Sequence, residues 1–128
     1  MTELHKALMA FWQQFGLPVF LAGCVDDQTP FPYIVIDVVD GTPAEHTLTT
    51  AYSWHKRKPE DSFTPVMLER LNLMDKVSAA IPPCGCFLQY EGGYAILDRN
   101  GANFLSYTVD ATDPDVIGGR FAYVVRFF

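Results

Sequence analysis

The sequence predicts an α+β domain: a mainly antiparallel β-sheet with two amphipathic helices packed on one face, plus a β-hairpin extension. Three observations carry this. Leu4, Leu8, Phe11 and Phe15 recur with helical spacing near the N-terminus, and Met67, Leu71, Met74 and Ile81 do so again further on. Residues 31–40, 47–55 and 120–128 are instead dense in β-branched and aromatic side chains arranged with a period of two. The elements run helix, hairpin, helix, β-meander, not the strand–helix alternation that builds a parallel sheet.

In chain order, the first helix spans residues 3–15, capped by Thr2 and stopped by Gly16 and Pro18. Residues 19–22 form a short edge strand. Residues 31–40 are the expected central strand, with Ile34, Ile36 and Val38 on the core face and Tyr33, Val35, Asp37 and Val39 on the other. Asp40-Gly41 opens a polar turn through Glu45. The returning strand sets Leu48, Thr50, Tyr52 and Trp54 on an aromatic face and Thr47, Thr49, Ala51 and Ser53 on a small one. Residues 57–63 have loop chemistry. Thr64 at the N-cap and Pro65 at the first helical position start the second helix, which Pro82-Pro83 ends. A hairpin turns at Glu91-Gly92-Gly93, an Asn100-Gly101 turn follows, residues 104–110 form a strand, and Gly118-Gly119 precede the last one. Leu4, Leu8, Phe11, Ile34, Ile36, Met67, Leu71 and Met74 are the expected core.

With 128 residues and 49% hydrophobic content, the chain reads as a single domain over 1–128 that buries a core without covalent staples. A net charge of −6 argues against recognition of nucleic-acid phosphates. The one basic cluster, His55-Lys56-Arg57-Lys58, is followed by Glu60 and Asp61. Cys24, Cys84 and Cys86 are odd in number and lack framework spacing, so free thiols in a reducing compartment are expected. One intervening residue leaves Cys84 and Cys86 too close for an unstrained bridge. No basic stretch followed by an apolar run marks a signal peptide, and no apolar run is long enough for a membrane span, so a soluble protein made in a cytoplasm is expected.

Catalytic patterns are scarce. His5, His46 and His55 lie in a helix start, a turn and a strand end, none beside a nucleophile motif. Cys84-Gly85-Cys86 is not a zinc-knuckle spacing. Gly92-Gly93 and Gly118-Gly119 read as hairpin glycines, since neither pair opens a helix as a phosphate loop must. No catalytic residue, metal ligand or cofactor site is expected. A polar pocket built from Tyr33, Asp37 and His46 is the alternative that would make the chain a small enzyme or ligand-binding domain.

Several features occur together: the N-terminal amphipathic helix, the 30–38 stretch PFPYIVIDV, a strand ending at Trp54, and a small hairpin at Gly92-Gly93-Tyr94. Later come Tyr107-x-x-Asp110-x-x-Asp113 and Gly119-Arg120-Phe121-x-Tyr123-x-x-Arg126. Their order resembles the tail terminator and minor capsid (head-tail joining, tail completion) proteins of long-tailed bacteriophages, over nearly the whole chain. The 57–61 stretch is long for the corresponding strand-to-helix link and receives no role by analogy. The resemblance implies a structural protein of the virion tail or neck, assembled in the host cytoplasm, without enzyme activity, cofactor or membrane contact. It implies a homo-oligomeric, hexameric ring that caps the tail tube protein, ends tail polymerisation and meets the head-tail connector protein. A head-completion or neck connector protein on the portal side is the neighbouring alternative. In such a ring Tyr52, Trp54 and Phe63, aromatic residues beside the segments free to reach a neighbour, are the candidate subunit interface. Asp110, Asp113 and Asp115 are the candidate acidic bore lining, past which DNA moves without specific binding.

Overall fold

Helix α1 (Glu3–Gln13) begins where Thr2 takes the N-cap in extended backbone, its hydroxyl accepting from the His5 amide at 3.3 Å. The chain leaves the helix through Gly16 at φ +84°, a left-handed conformation that glycine adopts without cost. Leu4, Leu8, Phe11 and Trp12 are buried as the stripe requires. Helix α2 (Thr64–Ala80) has Pro65 in its first turn, and its N-cap is Phe63, one residue before the expected Thr64. At the other end, Arg99 donates to the carbonyls of Ile81 (2.5 Å) and Ser78 (2.6 Å), taking up acceptors that a helix terminus leaves without intrahelical partners. The computed structural model that shows this describes residues 2–128.

The register of α2 differs from the expected one. Val66, Arg70, Leu73, Met74 and Val77 face inward, whereas Met67 and Leu71 are 38% and 37% exposed. Apolar residues at 66, 67, 68, 71, 73, 74 and 77 surround much of the helix, so the pattern alone admits two registers. The sheet selects the one that lets Arg70 donate to the Gly118 carbonyl at 3.3 Å. Leu71→Ala should therefore change stability by less than about 1 kcal/mol. Leu73→Ala, at a position only 5% exposed, should cost about 2–5 kcal/mol. Urea unfolding of the two variants side by side checks the assignment.

The sheet contains β1 (Val19–Leu21), β2 (Tyr33–Ile36), β3 (Thr47–Lys56), β4 (Cys86–Tyr90), β5 (Gly93–Arg99), β6 (Leu105–Val109) and β7 (Val116–Phe127), with a 3₁₀ turn at Gly101–Asn103. The strand order is β1-β2-β3-β7-β5-β4, and β6 also pairs with β7. All pairs are antiparallel except β1 with β2. The organising strand is thus β7, not residues 31–40. Along one side it pairs with β3 from Thr47↔Val125 to Lys56↔Val116. Along the other, β5 takes its residues 123–127 and β6 its residues 117–121.

Strand β2 stops at Ile36, and the next residues leave the alternation. Val38 is 49% exposed and Val39 is buried, the reverse of the expected parity, because the Val39 amide donates to His5 Nε2 at 3.0 Å. Gly118 and Gly119, expected before the last strand, lie within it.

Both helices cover one face of the sheet. Their buried residues join Ile34, Ile36, Ala51, Ala95, Leu97, Phe121, Tyr123 and Val125 in one core. Helix α2 lies over β3 and β7, and α1 meets both β1 and β4, the two ends of the strand order, so the sheet curls around it. At its centre is Trp12, fully enclosed, with ring centroids 5.5 Å from both Phe121 and Tyr123 and its indole N–H directed to the Tyr123 hydroxyl at 3.3 Å. No helix among the described residues is long and apolar enough to cross a membrane.

Candidate functional site

On β3 the small residues turn inward and the large ones outward. Thr49, Ala51, Ser53 and His55 are buried beneath the helices, which leaves Leu48, Tyr52 and Trp54 on the sheet face that no helix covers. Tyr52 and Trp54 are half-buried there with nearly parallel rings, 5.9 Å between centroids. Gly118 makes room for them. A β-carbon at that position would meet the Ser53 carbonyl oxygen at 2.7 Å and the Trp54 ring and Thr108 methyl at 2.9 Å.

A second aromatic group lies toward the β4 end of the same face. Phe87, Tyr94 and Phe128 stack in series, with centroids 5.3 and 4.8 Å apart and exposures of 61%, 38% and 41%. The Arg126 guanidinium lies 5.6 Å from the Phe128 ring centre, and its buried Nε has no hydrogen-bond partner among the described residues. Three strands, β1, β4 and β6, each pair on one side only, so they end the sheet in unpaired backbone groups.

Phe63 does not join Tyr52 and Trp54. It sits at the start of α2, beneath the Arg57 guanidinium at 4.9 Å. The three aspartates occupy the β6–β7 loop and differ in their surroundings. Asp115 receives Arg57 at 2.8 Å, and Asp113 receives Lys56 at 3.2 Å. Asp110 accepts from the hydroxyl and amide of Thr112 and has no cation beside it among the described residues. Asp110 is held below the usual carboxylate range by the Thr112 bonds, and Asp113 by the Asp115 amide and then by Lys56. The Arg57 amide also bonds the Asp115 carbonyl at 2.8 Å, which fastens the 57–63 loop to the β6–β7 loop.

Sequence reasoning missed a buried hydrogen-bond relay. His55 Nε2 meets Ser53 Oγ at 2.9 Å and Nδ1 meets Glu69 Oε1 at 2.7 Å, while Ser53 Oγ accepts the Gly119 amide at 3.1 Å. The spacing of Ser53 and His55 puts both on the inner face of β3, a signal present in the sequence, but Glu69 arrives from α2. The order resembles a serine hydrolase triad in its contacts alone. Ser53 is fully enclosed and offers no nucleophile to a substrate, so the relay ties β3, β7 and α2 together. Burial is the largest influence on His55 and pushes its pKa below the ordinary 6.5; Arg70 acts the same way, and Glu69 opposes both. The folded state thus binds its proton less readily than the unfolded state does. Stability should be full above about pH 7 and decline as pH falls from there toward 5. His55→Gln should flatten that part of the profile, as read by urea midpoints across the range.

The pocket of Tyr33, Asp37 and His46 does not assemble. Tyr33 is opposite Trp54, eight residues along β3 from the level of His46, roughly 27 Å at the usual rise per strand residue. Asp37 instead accepts the Thr50 hydroxyl. All three cysteines are free, Cys24 and Cys84 exposed and Cys86 half-buried. Among the described residues no three His, Cys, Asp or Glu side chains converge as metal ligands. Shallow surface hollows include one of about 410 Å³ beside Thr2, His5, Leu21 and Val38, and the relay's His55 borders one of about 230 Å³ with Phe15, Leu17 and Lys76.

No family model and no curated protein matches the chain. Three solved chains match it in structure. One of them, whose name is only a sequence identifier, is 13% identical with a TM-score of 0.55, and the match covers 98% of this chain and 92% of that one. That likeness establishes a shared fold across the domain and carries nothing about function.

Proposed function

We propose that this chain is a structural assembly protein of a long-tailed phage, a tail terminator that closes into a ring on the end of the tail tube. In that role it stops the tube from growing and offers the head-tail connector a surface, working through protein contact within the virion. The observation that carries the reading is the uncovered sheet face, where Tyr52–Trp54 and Phe87–Tyr94–Phe128 form two aromatic groups beside unpaired strand edges. Large, rigid rings with little entropy to lose are what interface cores are made of. The order of sequence features described above adds the resemblance to tail terminators.

Copies at −6 each give a ring an acidic character that favours passage of DNA without retention. Of the three aspartates, Asp110 is the best candidate for a bore, since Asp113 and Asp115 already hold cations. The test is direct. Added to growing tail tubes of the phage that encodes it, the protein should cap one end and halt elongation, as seen by negative-stain microscopy. Tubes that lengthen at an unchanged rate, with no density at either end, overturn the proposal.

A further inference from the structure

Strand β6 pairs with β7, and no strand pairs with its other edge among the described residues. The ladder fixes which of its backbone groups are left over. The Ala122 amide bonds the Phe104 carbonyl, and the Asp110 amide bonds the Val116 carbonyl. Bonded residues alternate in an antiparallel pair, so Phe104, Ser106, Thr108 and Asp110 direct their backbone groups to β7. Leu105, Tyr107 and Val109 direct theirs to the open edge. The side chains of these same residues lie on the helix side of the sheet, since Tyr107 is level with Gly119, whose β-carbon would meet Met74. Helix α2 lies over β3 and β7, and Tyr107 and Val109 stay 57% and 70% exposed beside it. The Arg70 guanidinium, 4.2 Å from the Tyr107 ring centre and 3.2 Å from Met67 Sδ, joins that ring to the exposed flank of α2. The other free edges offer less. Strand β1 has three residues. On β4 only Phe87 and Gln89 turn outward in this way, while Leu88 and Tyr90 pack against the core.

We infer that the open edge of β6 accepts an extended segment of a partner protein as an added strand, apolar at alternate positions and free of acidic residues and proline. Unpaired N–H and C=O groups at strand spacing are complementary to the backbone of another strand, and that bonding supplies the affinity in strand addition. Alternate side chains of the added strand then fall beside Tyr107 and Val109, which supply the selection. Charge and proline decide against this chain's own loops as the occupant. Asp110 stands at the end of the edge with no cation beside it among the described residues. The three longest connections, 22–32, 37–46 and 57–63, each carry acidic residues that Asp110 would repel and at least one proline, which cannot donate to a ladder. The partner is therefore a different chain, neutral or basic in this segment. This surface lies on the helix side, away from the Tyr52–Trp54 and Phe87–Tyr94–Phe128 groups, so it goes beyond the ring reading and stands independently of it.

The probe is a capped heptapeptide, Lys-Val-Thr-Val-Ser-Val-Lys, titrated into isotope-labelled protein and followed by amide NMR shifts. The shifts should centre on the Leu105, Tyr107 and Val109 amides. N-methylation of the three valines blocks one edge of the peptide, and N-methylation of the intervening threonine and serine blocks the other. One of these two peptides should lose about tenfold in affinity while the other keeps it, because only one edge faces β6. Replacing both lysines with glutamates should weaken binding beside Asp110. Val109→Pro, which removes an outward donor and no bond to β7, should weaken it as well; circular dichroism verifies that the variant is folded. No shift at these amides at millimolar peptide, or equal affinity for the parent and both N-methylated peptides, overturns the inference. Concentration-dependent shifts at the same amides in the protein alone assign the edge to a second copy and also overturn it. The ring reading rests on the opposite face and survives either result.

Discussion

Trp12→Ala is expected to cost about 3–5 kcal/mol, the range for removing a large aromatic from a core. Trp12 is fully enclosed where the sheet curls around α1, in contact with rings from α1 and β7. Its removal opens a cavity at the junction of the two layers and takes the donor from the Tyr123 hydroxyl, which is bonded at 3.3 Å in the native protein. Burial raises the pKa of that phenol, so ionisation gives no escape. Trp12→Phe separates the two contributions: it keeps much of the ring but not the N–H, and should cost about 1–3 kcal/mol for the unsatisfied buried hydroxyl. Urea unfolding measures both. A loss under about 1 kcal/mol for the alanine variant would mean that α1 does not close the core as described.

Gly118→Val should cost about 1–3 kcal/mol from overpacking and also disturb the aromatic face. The new β-carbon would fall 2.7 Å from the Ser53 carbonyl oxygen. That oxygen belongs to the β3–β7 ladder and cannot move without breaking the pairing. The other two close atoms, on Trp54 and Thr108, are side-chain atoms and will give way first. The variant should therefore shift tryptophan emission as Trp54 leaves its place beside Tyr52, in addition to lowering the unfolding midpoint. An unchanged midpoint and spectrum would contradict the close approach of β3 and β7 at this point.

What could be read in the sequence follows from how many arrangements each pattern allowed. The α1 stripe has one apolar face and therefore one register, and its cap and stop are local chemistry. The Cys86–Tyr90 and Gly93–Arg99 hairpin was equally legible, since its turn fixes its partner. Helix α2 has apolar residues on two sides, and only the sheet decides that Leu73 enters the core while Leu71 remains at the rim. The central position of β7 depends on pairing with strands from three other parts of the chain, which no local pattern encodes. Gly118-Gly119 has the composition of a turn, yet inside a strand the missing β-carbons serve close packing instead. For the candidate site, alternation along β3 foretold the Tyr52–Trp54 face correctly. The series Phe87, Tyr94, Phe128 was not foreseen, because its three rings come from three strands and meet only when the sheet forms. Phe63 is near Tyr52 and Trp54 in chain order, but its place at the start of α2 sets it beneath Arg57 instead.

The uncovered aromatic face as a surface for self-assembly is the central claim, and native mass spectrometry of the wild-type protein tests it most directly. The account predicts a closed oligomer at low salt and tens of micromolar, about 86 kDa if six 14.4 kDa chains form the ring. A single species at 14.4 kDa under the same conditions, with and without tail tubes, would contradict it.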